Sequence, residues 1–299
     1  MNIKVAACVA WVCALVACNG GGGMPASSSK PCEVVVAADS LNLIGPMLER
    51  PYGGLPQAEP AHDVVRIGTA EPTGLYRYAR AIVVYRRGEV LRAVRDRYAH
   101  PQIIVYTDGT APRQVEATLE RFETVCHVTE LKARHNKAAA SLVAKRWGLR
   151  VWLPADMSVR VDRPRFVWMA GETARATTGV CVFSLTDTRR VAEQTDSVLR
   201  INLKGETDSM YMQLVRPTLR TTTMSHGGVW IQGLWAMQGD AMGGPMAMRV
   251  VRHSDQTMAV LVFAYAPAMA KRNLMVALKS VLYTIDSNTY TIYNYYDRE

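Results

Sequence analysis

The sequence is poor in cysteine and, past its first residues, has no long apolar run. Of its six cysteines, Cys8 and Cys13 lie within the first apolar stretch, and only Cys32, Cys126 and Cys181 follow Cys18. Three widely spaced thiols exclude a disulfide framework and leave room for one pair at most. Beyond Val16 nothing approaches the roughly 20 apolar residues a membrane-spanning helix needs, so the body of the chain does not span a bilayer. No H-E-x-x-H, G-x-S-x-G or paired C-x-x-C occurs. The Gly20–Gly23 run lacks the Lys and Ser/Thr of a phosphate loop. No cofactor is implied. Lysine and arginine outnumber acids 35 to 26, for a net +9, but in dispersed pairs such as Arg86-Arg87, Arg189-Arg190 and Lys271-Arg272. This reads as a solvated basic surface without a concentrated patch.

What is present begins with an export signal. Lys4 supplies a positive n-region, and Val5 to Val16 form an uncharged apolar segment too short to span a membrane. Leu15-Val16-Ala17-Cys18 then resembles the lipobox of bacterial lipoproteins, in which a thiol accepts diacylglycerol and small residues fit the signal peptidase. Asn19 to Pro31, rich in Gly, Ser and Pro, reads as a flexible tether with a reach of about 20 Å. The expectation is cleavage before Cys18 and anchoring through lipid on it. An exported, anchored chain has the membrane as partner, with an envelope protein or wall polymer as a further candidate, and no nucleic acid.

With 49% hydrophobic and 20% charged residues, the mature chain is globular. β-rich runs are expected at Glu33–Ala38, Asp63–Gly68, Ala81–Tyr85 and Gln102–Tyr106, with Asp39-Ser40 suited to cap a helix. Val115, Leu119, Phe122 and Val125 fall at helical spacing after Pro112, and further helix runs from about Thr129 to Trp147, stopped by Gly148. The second half predicts strands at 165–169, 179–185, 229–237, 247–251 and 258–265. Helices are expected at 189–199 and through Leu274, Leu278 and Leu282. The fold class is therefore α+β: two related α/β-sandwich-like halves, mixed or antiparallel sheets with helices packed on them. The expected division is signal 1–17, tether 18–31, N-terminal half 32–148, C-terminal half 149–285 and a Tyr-rich tail 286–299. Loose similarity between segments 66–85 and 168–183, and between 103–112 and 261–267, suggests internal duplication.

The stretch Gly233-Leu234-Trp235-Ala236-Met237-Gln238-Gly239-Asp240-Ala241-Met242-Gly243-Gly244-Pro245 resembles the signature of an uncharacterised lipoprotein family of the Bacteroidota, a domain of unknown function. Ser28-Ser29-Lys30-Pro31, Leu55-Pro56-Gln57, Glu59-Pro60, Pro101 to Ile104, Tyr265-Ala266-Pro267, Lys271 to Leu274 and Leu282-Tyr283-Thr284 agree with it. The chain departs from the pattern at Cys32, where an aromatic is usual, and in the tail from Asp286. The resemblance implies a lipid-anchored envelope protein and carries no activity, ligand or catalytic residue. Surface-exported lipoproteins of that lineage carry acids after the cysteine. Here Asn19 and four glycines follow, which favours the periplasmic face.

Candidate chemistry gathers between Met224 and His253. Asp240 could serve as acid, base or acceptor beside Trp235, and Gly243 and Gly244 could let a ligand approach the backbone. Alternatively Asp240 closes a turn, the glycines supply backbone angles, and Trp235 anchors core. Met224, His226, Met237, Met242, Met246, Met248 and His253 could hold a soft ion such as Cu(I). Methionine as a packing filler is the simpler expectation, and no metal is assigned. A non-catalytic binding or envelope-support role leads, with an envelope-acting enzyme near Asp240 as the alternative.

Overall fold

The computed structural model describes residues 23–224 and 228–285. Cys18, His226 and the tail from Asp286 lie outside the described residues. Val and Ile, whose branched side chains suit the pleat, dominate the first sheet's parallel strands. These are β1 (Glu33–Ala37), β2 (Asp63–Ile67), β3 (Ala81–Tyr85) and β5 (Ile103–Thr107), with β4 (Arg92–Arg95) antiparallel at the edge. The spatial order is β2-β1-β3-β5-β4. Asp39 stands at the end of β1 and accepts the N–H groups of Leu43, Ile44 and Gly45 at 2.8–3.1 Å, which fixes the short helix α1 (Gly45–Leu48).

Helix α2 (Pro112–Arg134) lays Val115, Leu119 and Phe122 on one face of this sheet, against Val34, Val83 and Ile103. The chain breaks at His135, which is extended. Asn136 then caps α3 (Lys137–Trp147) by accepting the Ala139 N–H at 3.0 Å. Gly148, at φ +71°, ends α3 in the left-handed region that glycine adopts without strain. The apolar face of α3, Ala139 and Val143, belongs to the core of the second sheet.

That sheet is antiparallel throughout. Its strands are β6 (Ser158–Arg163), β7 (Phe166–Glu172), β8 (Thr177–Leu185), β9 (Tyr211–Leu214), β10 (Arg220–Thr223), β11 (Val229–Gln238), β12 (Gly243–His253) and β13 (Gln256–Tyr265). They run in the order β10-β11-β12-β13-β8-β7-β6, with β9 also paired to β11. Helix α4 (Val191–Asn202) covers one face through Val191 and Leu199. Helix α5 (Arg272–Tyr283) joins α3 on the other, through Met275, Leu278 and Val281.

The α+β architecture of two sheet-bearing halves is as expected. The duplication is corrected by topology. In the first half β2 and β3 are parallel and flank β1, whereas β7 and β8, their supposed counterparts, form an antiparallel pair. The similarity reflects common strand-and-turn composition. Part of the stretch read as a tether lies against the first half. Ala26 bridges His100, Ser27 and Ser28 donate their N–H groups to the carbonyls of His100 and Tyr78 at 3.2 and 2.9 Å, and Ser29 Oγ accepts from Arg80 N at 2.8 Å. Its small polar residues are thus spent on backbone hydrogen bonds to the first half.

Candidate functional site

The signature segment is a hairpin. β11 and β12 are joined through Gly239-Asp240-Ala241-Met242, with Gly239 at φ +81° and Met237 N–H bonded to Met242 O at 2.8 Å. Asp240 is exposed on this turn, where its carboxylate accepts the adjacent Ala241 N–H. Trp235 is 3% exposed. Its indole N–H donates to the buried carbonyl of Ala264 at 3.2 Å, and its ring packs edge-on to Phe263 with centroids 5.4 Å apart. The same indole nitrogen would stand 3.1 Å from any Cβ at Gly244, and a Cβ at Gly243 would meet the Trp235 carbonyl at 2.9 Å. Gly243 is therefore small because the Trp235 backbone lies against it, and Gly244 chiefly because the Ala264 carbonyl does, with the Trp235 indole close behind. Of the catalytic and ligand candidates, Trp235, Gly243 and Gly244 pack together, while Asp240 stands exposed on the turn beside them.

The methionine–histidine group also separates. Met246 and Met248 are buried in the core beneath α4, and Met237 and Met242 pack at its margin. Met248 Sδ accepts from the Thr195 hydroxyl at 3.7 Å. His253 ends β12 ten residues from Gly243, about 33 Å away at strand rise. Met246 and Met248 thus do not meet His253 at one soft-ion site, and His226 lies outside the described residues. Among the described residues no three His, Cys, Asp or Glu side chains are grouped to hold a metal.

Cys32, Cys126 and Cys181 are all free. Burial pushes the Cys32 thiol up to about 12, with the nearby Glu123 carboxylate acting in the same direction, and burial does likewise at Cys126. Neutral, enclosed thiols are inert at physiological pH. Glu123 itself is engaged by Arg80 at 2.9–3.1 Å and accepts the Cys32 N–H at 3.3 Å, tying α2 to the starts of β1 and β3.

Several family-like stretches meet where the halves join. Glu59 accepts the N–H groups of Lys271 and Arg272 at 2.8–3.0 Å, placing a carboxylate at the N-terminus of α5, where the helix dipole favours it. Arg272 donates to the Pro60 carbonyl at 2.8 Å and grips Asp63 at 2.6 and 3.1 Å, holding that carboxyl below its ordinary range. Gln102, fully buried, donates to the carbonyls of Arg77 and Ala79 and accepts from Tyr98 N–H. Thr284 accepts the Trp152 N–H at 2.9 Å. These residues are structural.

Two clusters remain that the hydrogen-bond scaffold does not absorb. The first lies in the seam between the halves. Lys279 of α5 donates to Tyr52 Oη and to Gln232 Oε1 of β11, each at 3.0 Å, and Tyr283 packs at a tilt against Trp230 with centroids 5.2 Å apart. All five are partly buried. Both hydrogen-bond partners of Lys279 are neutral, and Glu120 of α2 acts on it only through space. Burial lowers the amine from 10.5 to about 8, against the pull of Glu120. An ammonium has three donors, and two are used.

The second cluster lies on the face of the first sheet opposite α2. That face carries Ile82, Val84, Ile104 and Tyr106, all buried, with Ala79 at the end of the short 3-10 turn 74–78 packed among them. Tyr106 is sandwiched by Arg86 and Arg92, at 4.3 and 4.4 Å from its ring, and its hydroxyl accepts from Arg97 at 2.8 Å. Seven arginines fall within residues 77–97. Sequence reading passed over them as scattered pairs, although their density was a usable signal. Lys279 was hidden as the polar neighbour of Leu278.

Residues 135–284, half of the chain, match the family described as a domain of unknown function, DUF4837. The chain belongs to this family. Residues 27–138 match a second domain of unknown function, DUF8532. A comparison with curated proteins finds no match. A solved structure from Bacteroides thetaiotaomicron VPI-5482 aligns over 48% of this chain at 10% identity and a TM-score of 0.27, and this chain spans 45% of its length. A STAR-related lipid transfer protein fragment from Xanthomonas axonopodis aligns over 43% of this chain and 96% of its own, at 10% identity and a TM-score of 0.23. Scores so low carry no inference about fold or function. The DUF4837 region begins at His135, where the chain turns from α2 into α3. No helix among the described residues is long and apolar enough to cross a membrane.

Proposed function

We propose that this DUF4837 protein is a lipid-anchored, periplasm-facing envelope protein that binds a carboxylate-bearing fragment of envelope polymer without transforming it. The anchor reading rests on Cys18 behind Leu15-Val16-Ala17 and on the Gly-rich segment that follows. The binding reading rests on the seam at Lys279. An amine held part-buried against two neutral partners, with one donor unspent, has the chemistry to receive a carboxylate. The rings of Tyr52, Trp230 and Tyr283 beside it offer flat apolar surface to a sugar or acyl portion. The alternative of an enzyme centred on Asp240 lacks a cleft-side geometry, since that carboxylate sits exposed on a hairpin turn.

Titrating the mature chain with muramyl peptides while following tryptophan fluorescence tests the binding reading. The acid form is expected to bind and its carboxamide analogue to bind at least tenfold more weakly. Equal binding by both, or undiminished binding by Lys279→Met, would refute it. Fatty-acid labelling of the Cys18→Ala variant tests the anchor separately, and labelling that persisted would refute that part alone.

A further inference from the structure

The arginine–tyrosine face is positioned by the same segment that would lead to the anchor. Pro25 O accepts the His100 N–H at 2.9 Å, and Ala26 bridges His100, so the chain is fixed to the first half from Pro25 onward. Only six residues, 19–24, lie between Cys18 and Pro25, seven Cα steps in all. Fully extended they reach about 25 Å, and as a coil about 15 Å. Tyr78, which receives the Ser28 N–H, is stacked by Arg77 at 4.7 Å, and Tyr98, two residues from His100, is stacked by Arg97 at 5.0 Å. Arg97 in turn reaches Tyr106 between Arg86 and Arg92. The basic face is thus continuous with the point where the tether docks.

Its charge and its apolar residues agree. Arg77, Arg86, Arg87, Arg92 and Arg97 stand against Glu71, Glu89 and Asp96, leaving the face net positive. Glu71 pairs with Arg86 and Glu89 with Arg92. Met24, Leu75, Tyr76 and Val90 are half or more exposed, or nearly so, at 53%, 81%, 48% and 85%, and each lies within two residues of the docked tether or of these arginines. Exposed apolar tips beside guanidinium groups are the composition of a surface that lies on a bilayer interface.

We propose that this face rests on anionic phospholipid headgroups of the membrane that holds the lipid, giving the protein a second, electrostatic membrane contact. The proposal rests on the anchor reading for delivery of the face to the bilayer, but the contact itself needs no lipid on Cys18. A short tether limits the search to headgroups nearby, and the effective concentration of the face at the surface is correspondingly high. Held in this way, the protein would present one fixed side to the membrane and turn the other outward.

The test uses the mature chain carrying Cys18→Ala, so that no lipid is attached. It is sedimented with vesicles of phosphatidylglycerol and phosphatidylethanolamine, and with vesicles of phosphatidylcholine alone. Binding is expected to the anionic vesicles, to weaken with salt, and to be at least tenfold weaker to the neutral ones. Arg86→Gln with Arg92→Gln should lower anionic binding by about 25-fold, taking about fivefold for each arginine. Arg86→Lys with Arg92→Lys keeps the charge and should retain binding, which separates charge from any loss of folding. Arg175→Gln with Arg189→Gln, an equal charge change on exposed sites of the second half, should have no effect. Equal binding to both vesicle types, or no loss in the Arg86/Arg92 glutamine pair, would overturn the proposal. So would capture by soluble polyphosphate without vesicle binding, which would assign the face to a polymer. Failure of Cys18 labelling in cells would leave the vesicle result standing, so the two readings fail separately.

Discussion

Replacing Lys279 by methionine is expected to make the protein more stable at neutral pH. Burial lowers the amine from 10.5 to about 8, which corresponds to roughly 3 kcal/mol for keeping an ammonium in the seam. The side chain is partly open to water, so about 2 kcal/mol is the more realistic cost. Methionine fills similar length without charge but forfeits the bonds to Tyr52 and Gln232. Those partners lie within reach of water, which limits that loss to about 1 kcal/mol. The net gain is about 1 kcal/mol, or about 2–4 °C in Tm. The pH dependence has a definite sign. Unfolded, the amine keeps its proton up to 10.5, whereas folded it releases it near 8. Between those values the unfolded state binds more protons, so native stability rises with pH across that window and gains nothing from this group below it. Urea unfolding of both proteins from about pH 7 to about pH 10.5 reads the effect. A variant less stable at pH 7, or a wild-type stability that does not rise with pH relative to the variant, would refute the reasoning. A stabilising removal is the signature of a residue retained for something other than the fold.

Gly244→Ala should cost about 3 kcal/mol or prevent folding, because the added methyl would strike the Ala264 carbonyl that Trp235 bonds. A urea midpoint indistinguishable from wild type would show that the hairpin can yield. Asp240→Asn should change stability by no more than about 0.5 kcal/mol and leave ligand binding intact, since the side chain is exposed and serves only its own turn. A clear loss of binding would return Asp240 to the functional site.

Much of the fold was legible because its strongest elements carry one periodicity each. Glu33–Ala37, Ala81–Tyr85 and Ile103–Thr107 are nearly continuous β-branched runs, as buried parallel strands are, and α2 and α5 repeat apolar residues at helical steps. β4, with sequence Arg-Ala-Val-Arg, and β6, Ser-Val-Arg-Val-Asp-Arg, escaped because their exposed charged residues mask edge strands. Mixed and antiparallel sheets were expected and are present, but which particular strands pair in parallel escaped. Whether neighbouring strands run parallel depends on where crossovers travel, and a local segment such as 66–71 reads the same in either setting. The site was hardest to see. Tyr52, Gln232 and Lys279 lie in three distant stretches that approach only when Glu59 and Arg272 clamp the first half to α5. No spacing rule in one chain records such a meeting.

The resemblance drew attention to residues that turned out to hold the molecule together. Trp235 with Gly243 and Gly244 locks a hairpin, Gln102 ties the 3-10 turn to β5, and Glu59 with Arg272 seals the joint between halves. These devices are demanding because each satisfies backbone groups with one side chain in a fixed place, and each therefore tolerates few residue types. A binding surface has looser requirements. Arginines around Tyr106 can act from several positions, and an amine at Lys279 needs only a neutral, half-dry setting. It follows that in this fold the segments easiest to recognise describe the frame. The chemistry has to be sought in charge that the frame does not fully neutralise, and that criterion selects Lys279, held by neutral partners, and the net-positive arginine face over the hairpin carrying Asp240.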